Sequence, residues 1–320
     1  MNDLSALPDS PVIHTHNGRV RTRSGAVGVA ILLAATLVGG GPLPAHARSM
    51  SVAHPVSCAT EHLPSAKDRP VRVTASLGGV TATLRGTSGH AFAGIPRVLH
   101  PRLTVTSPTA GVTTFRPEPV PDTPGRGVLV LGINRPGGSL PALCLATFPA
   151  GPVALLGVTS AFNQCCFLVD TYAPGVRPRS GLQDGLIGPT LRVINDKAAI
   201  VSADGGFLAR FTDYADSAAP LRVLTVRNGR QRDVTDNYRA RLQREAQRWW
   251  SSYNQRPSHG LGYLAAWAAD QDRLGYDAQV WTKLQQLNDS GQLIGMAGWP
   301  RNQSFINALK TFLTDHGYRG

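Results

Sequence analysis

The hydrophobic period of the chain changes at Thr235, and that change restricts the fold more than any other feature of the sequence. From about residue 71 to 235, apolar residues alternate or run in short stretches between Gly, Pro and Asn turns: 71–74, 80–84, 103–106, 128–131, 142–148, 153–159, 166–169, 198–202, 207–211, 221–226 and 231–234. Alternation of this kind is the mark of half-buried strands, and continuous apolar runs of this length suit strands buried on both faces. Gly78-Gly79, Pro149 to Pro152, Asp204-Gly205-Gly206 and Asn228-Gly229 stand where hairpins are expected. Asn-Gly is the clearest of them, because a type I′ turn needs positive φ at both central residues. Five prolines between 107 and 126 predict a loop there.

After Thr235 the apolar residues recur every three to four positions. Tyr238, Leu242, Ala246, Trp249 and Tyr253 mark one helix, with Thr235 or Asp236 as its cap. Leu261, Leu264, Ala265, Ala268 and Leu274 mark a second, begun at Ser258 and stopped by Gly275. A third is expected over 277–289, and a fourth runs from Pro300 and Asn302 to Gly317. Four short-looped amphipathic helices form an antiparallel helical unit. The expected class is α+β: an antiparallel β domain over 71–235, either a sandwich or an incomplete propeller-like sheet, then a four-helix C-terminal unit over 236–320. Trp249, Trp250, Trp267 and Trp281 fall on the helices and are read as core.

The first 47 residues carry an address. Arg19, Arg21 and Arg23 precede a 13-residue uncharged apolar run at 26–38, and Ala45-His46-Ala47 offers small residues at the cleavage positions. This is the pattern of a secretory signal peptide cleaved after Ala47. A membrane span needs about 20 apolar residues, more than this run supplies. Residues 48–70 read as a Pro-rich arm tied down at Cys58. The expected location is therefore secreted or extracellular.

With 42% apolar and 16% charged residues, disordered, collagen-like, coiled-coil and multi-span membrane classes are excluded. The net charge is +12, and removal of three Arg and two Asp with the leader leaves +11. The basic residues are dispersed, so no nucleic-acid groove is expected. The sign suits an anionic cell-wall polymer or membrane surface, and a protein partner is also compatible with it.

Cys58, Cys144, Cys165 and Cys166 all lie beyond the leader, and an even number of cysteines in an exported chain reads as disulfides. A bond between neighbours Cys165 and Cys166 is strained, so each is expected to join Cys58 or Cys144. Without a C-x-x-C pair, zinc is not expected.

Motifs for catalysis are absent: there is no G-x-S-x-G, H-E-x-x-H, P-loop or dinucleotide glycine fingerprint. No catalytic residue, metal or cofactor is assigned. Asp204, Asp213, Asp216 and Asp233, with Asp236 nearby, form an acidic cluster in sequence. Paired carboxylates serve glycoside hydrolysis, which makes a secreted hydrolase using Asp pairs of the 204–236 region the alternative reading. Turn and cap roles explain the same residues: Asp204 precedes two glycines, Asp216 adjoins Ser217, and Asp236 begins a helix. The preferred reading is a non-catalytic extracellular or wall-associated binding module.

Asn163-Gln164-Cys165-Cys166-Phe167, followed by the stretch from Leu191 to Asp204, resembles a group of uncharacterised secreted bacterial proteins. In that group a Cys-Cys strand precedes an integrin-type (FG-GAP or VCBS-like) blade. The resemblance continues through 207–214, 218–220, 233–235, 265–271 and 298–300, and covers roughly 140–318. It implies a blade loop of D-x-D-G-D-G type that binds calcium. Here that loop is Asn195-Asp196-Lys197, one carboxylate beside a cation, and Gln164 stands where the group carries His. No calcium site is therefore expected.

Overall fold

The computed structural model describes residues 55–61, 63–64, 66–90, 96–117, 128–129, 142–159, 167–176, 186–257 and 260–318. The strands are β1 Val56–Cys58, β2 Pro70–Leu77, β3 Val80–His90, β4 Pro96–Ser107, β5 Gly111–Phe115, β6 Val128–Leu129, β7 Leu143–Phe148, β8 Gly151–Thr159, β9 Phe167–Tyr172, β10 Leu186–Ile194, β11 Lys197–Asp204, β12 Leu221–Arg227 and β13 Arg230–Asp233. The helices are α1 Arg239–Gln255, α2 Leu261–Arg273, α3 Asp277–Asp289 and α4 Asn302–Asp315. The chain is α+β, as its change of period predicts, and Val52–Gly320 makes one compact unit.

Every strand pairing is antiparallel among the described residues. One sheet runs β2-β3-β4-β5, with β6 beside β4; the other runs β1-β7-β8-β9-β10-β11-β12-β13. Two-residue turns set the register at four hairpins. Gly78-Gly79 and Asn228-Gly229 both have positive φ at the two central positions, as type I′ turns require. Asn195-Asp196 does the same between β10 and β11, with φ of 50° and 58°.

Side-chain parity turns these sheets into layers. Leu143, Leu145, Ala154, Leu156 and Val158 face Val73, Leu84, Leu103, Val105 and Phe115 of the smaller sheet in one buried cluster. The alternate residues of β7 and β8, Ala146, Phe148, Val153 and Leu155, face Leu191, Ala198, Ile200, Leu224 and Val226. The longer sheet therefore folds over itself, and the turn falls at β9 and β10, which share the single registered pair Phe167↔Leu186. Strands β7 and β8 are covered on both sides, which is why their sequences are apolar without alternation. The outer faces of β11 and β12 place Ala199, Val201, Leu221 and Val223 against Leu242 of α1 and Leu274 after α2. The packing is that of a sandwich with a helical layer added.

The helices fall where the periodicity places them. Helix α2 is the innermost, buried at Leu261, Leu264, Ala265, Ala266, Ala268 and Ala269. Its Gly262 lies against the preceding loop so closely that a Cβ there would sit 2.7 Å from the Asp216 carbonyl oxygen. Ser258 lies outside the described residues, and Gly260 precedes the helix.

Several expectations are corrected. Residues 207–211 form no strand: Gly205–Phe207 is a 3-10 turn, and Phe207 and Phe211 turn into the helical core. There they meet Phe312 edge-on at 4.8 and 5.4 Å between ring centroids, a contact worth more than sheet pairing could give two exposed rings. The Pro-rich 107–126 segment contributes β5, and the arm at 48–70 contributes β1. Of the strand expected at 128–131, Val128–Leu129 pairs with β4. Thr235 caps no helix; its hydroxyl accepts from the Val223 N–H at 2.8 Å and so joins the chain to β12.

The disulfide pairing is also corrected. Cys58 and Cys144 bond to each other, while Cys165 and Cys166 lie outside the described residues. The reason is register. Thr147 N donates to Pro55 O and Ala59 N to Leu143 O, so Cys58↔Cys144 is a non-hydrogen-bonded pair of β1 and β7. Side chains approach closest at such pairs, and here the Cα atoms are 3.9 Å apart. The bond holds a three-residue edge strand and closes a loop with a sequence separation of 86. On the chain-entropy argument, Cys58→Ser with Cys144→Ser is expected to cost about 4.5 kcal/mol, read by urea unfolding against the oxidised protein. Equal midpoints would contradict this.

Candidate functional site

The polar residues of the fold converge where the end of β11, β12, β13, the 3-10 turn Thr235–Tyr238, the last turn of α2 and the residues after α4 come together. Arg222 of β12 shares a strand face with Leu224 and with Asp233, which is registered opposite Leu224, and Asp204 and Asp233 end their strands at this junction. Asp204 Oδ1 accepts from the Gly206 N–H at 3.0 Å, closing the 3-10 turn, and Oδ2 accepts from the Tyr318 hydroxyl at 3.0 Å. Arg222 lies between two carboxylates, Nη1 3.7 Å from Asp204 Oδ1 and Nε 3.3 Å from Asp233 Oδ2. Arg273 grips Asp233 with both arms, Nη2 to Oδ2 at 3.0 Å and Nη1 to Oδ1 at 3.3 Å, and reaches Asp236 at 3.2 Å. Its guanidinium also lies 4.7 Å from the centre of the Tyr318 ring.

Burial sets the protonation of this chain of groups. For Asp233, desolvation favours the neutral acid, but the Arg273 charge and the N–H and hydroxyl of Thr235 outweigh it and hold the carboxyl below its usual range. For Arg273 burial works against the charge, and the carboxylates of Asp233 and Asp236 more than restore it. Tyr318 is pushed well above the usual phenol value by burial and by the Asp204 charge, so its hydroxyl keeps its proton and donates. Beside the network lies Asp270, fully buried on α2. One oxygen accepts from the Leu221 N–H at 3.1 Å and the other has no hydrogen-bond partner among the described residues. Burial drives its carboxyl well above the usual range.

An open cleft of about 420 Å³ borders these groups, lined in part by Asp236, Asn237, Arg273 and His316. His316 is stacked on Phe312, and its Nδ1 donates to the Phe312 carbonyl at 2.9 Å, which leaves Nε2 with the lone pair in the neutral ring.

The acidic cluster of the sequence divides in space. Asp204 and Asp233 are brought together, with the Arg222 guanidinium between them. Asp213 and Asp216 belong to the turn that precedes β12: Asp213 Oδ1 accepts from the Asp216 N–H at 2.9 Å, and its carbonyl accepts from Ser217 Oγ at 2.6 Å. Asp204, Asp213 and Asp233 each accept from a donor of the fold, and Asp233 is held in its ionised form. The Asn195-Asp196 turn does not fit calcium. It offers one carboxylate beside Lys197 in a two-residue hairpin, where calcium takes about six to eight oxygens. Among the described residues no group of three or more His, Cys, Asp or Glu could hold a metal ion.

Sequence reasoning missed Arg222, Arg273, Tyr318 and Asp270. The one available signal was Asp270, a carboxylate on the buried stripe of an Ala-rich helix, where charged residues are rarely found unpaired.

No family model and no curated protein matches the chain. Among solved structures, a GH43_1 enzyme from Xanthomonas citri is similar at 14% identity and a TM-score of 0.27, over 56% of this chain and 58% of that one. This chain therefore spans less than two thirds of that enzyme, and a likeness of this size carries no argument about fold or activity.

The two perturbed carboxylates give opposite pH signatures. Asp233, lowered in the folded state, stabilises above about pH 4 and loses that contribution as pH falls through its folded value. Asp270, raised in the folded state, is least costly below about pH 4 and destabilises as pH rises toward its folded value. Asp270→Asn keeps the acceptor for Leu221, so its stability relative to the parent should rise between about pH 5 and pH 8 in urea unfolding. Parallel stability curves for the two proteins would refute the assignment.

Proposed function

We propose that the chain is an exported, non-catalytic binding module that works outside the cell or on the cell wall. The observation that carries this reading is Asp233, a carboxylate held below its usual range and tied to Arg222 and Arg273, which supports a structural role for it. The leader pattern over residues 1–47, with cleavage after Ala47, supports export. The Cys58–Cys144 disulfide is compatible with an extracellular location, and no helix among the described residues is long and apolar enough to cross a membrane.

The partner is an anionic cell-wall polymer, in keeping with the net +11 of the chain after the leader. On this reading the protein stands with the secreted bacterial proteins that pair a Cys-Cys strand with an FG-GAP-like blade, with the acidic loop reduced to a turn. The mature protein should be retained on purified bacterial cell wall at low ionic strength and released as salt is raised, since exposed charge pairs weaken within a Debye length of about 10 Å at 0.1 M salt. Retention at neither ionic strength contradicts the reading.

A further inference from the structure

The outward face of the smaller sheet carries a pattern that the cleft does not explain. Arg72 of β2 stands directly opposite Arg85 of β3, and Arg85 stands directly opposite Arg102 of β4. Arg116, the residue after β5, continues the row opposite Arg102 by one step of the β4–β5 register. All four are exposed, because Val73, Leu84, Leu103 and Phe115 occupy the alternate positions facing the core. Among the described residues none of the four forms an ion pair with a carboxylate.

Two residues along each strand a second row runs parallel to the first. Thr74, Thr83, Thr104 and Thr114 are in register across all four strands, with Oγ1 atoms 3.3 Å apart for Thr74–Thr83 and 3.4 Å apart for Thr104–Thr114. With strands about 4.8 Å apart, the guanidiniums lie along a line of roughly 14 Å perpendicular to the strands, and the hydroxyl row runs about 7 Å to one side. Like charges directly opposite on a sheet repel, so the middle strand places Arg85 between two unfavourable neighbours. The repulsion is relieved when anionic groups lie along the row.

We infer that this face is the docking surface for an extended anionic polysaccharide laid across the strands, its acidic groups on the Arg72–Arg85–Arg102–Arg116 row and its hydroxyls on the threonine row. The inference rests on the reading of the chain as an exported binding module and names the surface that does the binding. Charge complementarity selects the polymer: four cations and no carboxylate along one line. The same rows contain no aromatic side chain on which nucleic-acid bases stack and no Trp, Phe or Leu to enter a bilayer.

The test compares the mature protein with R72T/R85T/R102T, in binding to polygalacturonate, neutral dextran, phosphatidylglycerol vesicles, duplex DNA and purified cell wall. The unmodified protein should bind polygalacturonate at low salt and leave dextran alone. The triple variant should bind polygalacturonate at least about tenfold more weakly, as expected when even one charge-assisted contact is lost. It should also melt no lower than the unmodified protein, because the substitutions remove repulsion and introduce β-branched residues on a sheet surface. Should the triple variant fail to fold, R102E serves instead: it sets a carboxylate opposite Arg85, so it should weaken binding and raise the melting temperature. Undiminished polygalacturonate binding by the variants overturns the inference, as does a preference of the unmodified protein for vesicles or DNA. Equal retention of both proteins on cell wall defeats the inference and leaves the binding-module reading standing. Retention of neither defeats that reading itself.

Discussion

The carboxylate of Asp233 lies between a guanidinium carried by the sheet and another carried by the last turn of α2. Arg222 hands the interaction on to Asp204, Asp204 accepts from Tyr318, and Arg273 lies against the Tyr318 ring. The ends of β11, β12 and β13, the last turn of α2 and the residues after α4 are thereby held to one another. Apolar contacts and the bond from the Leu221 N–H to Asp270 seat the helices on β11 and β12. Directional, charge-assisted hydrogen bonds fix where they sit, and they tie the end of the chain to the end of β11. Asp204 and Arg222 are the buried charges of the network, and removing the partner of either strands a charge away from water.

The same network determines what the cleft can do. Asp233, held ionised against its burial by Arg273 and Thr235, has no proton to give, and a tyrosine whose hydroxyl is buried against Asp204 keeps its own. The charges that remain available to a partner are on the surface. The arginines of the smaller sheet are exposed and aligned, whereas those of the seam are committed to carboxylates. One fold thus uses guanidiniums in two ways, as internal ties where they meet Asp, and as an unneutralised outer row where they meet one another.

Local features were legible in the sequence and non-local ones were not. The four helices were readable because apolar residues at three- and four-residue spacing, with Gly275, Gly291 and Gly317 after them, decide a helix within its own span. Gly78-Gly79 and Asn228-Gly229 were readable because a type I′ turn is specified by its two central residues. Phe207 to Phe211 was misread since Phe-x-Ala-x-Phe alternates as a strand does, while the rings find their partners on α4, about a hundred residues later. β1 is three residues long and owes its place to the strand it pairs with, so nothing in the Pro-rich arm announces it. The disulfide pairing follows from the register of β1 against β7, which no spacing of cysteines encodes. Of the acidic cluster, Asp204 and Asp233, which the structure brings together, were singled out in the sequence. Their arginine partners were not, because Arg222 and Arg273 look like ordinary surface cations until the strand and the helix meet. The arginine row was hidden for the same reason: each member is an unremarkable polar position in its own strand.

The central claim is that Asp204 and Asp233 are held in place as structure by Arg222 and Arg273. A double-mutant cycle in unfolding free energy tests it most directly, using Asp233→Asn, Arg273→Gln and the two combined. Residues of one ion-pair network couple by about 0.5 to 3 kcal/mol, and a value of at least about 1 kcal/mol is expected here for a bidentate pair shared with Arg222 and Asp236. A coupling indistinguishable from zero, with both single variants as stable as the parent, would contradict the claim and return Asp233 to the list of residues free to do chemistry.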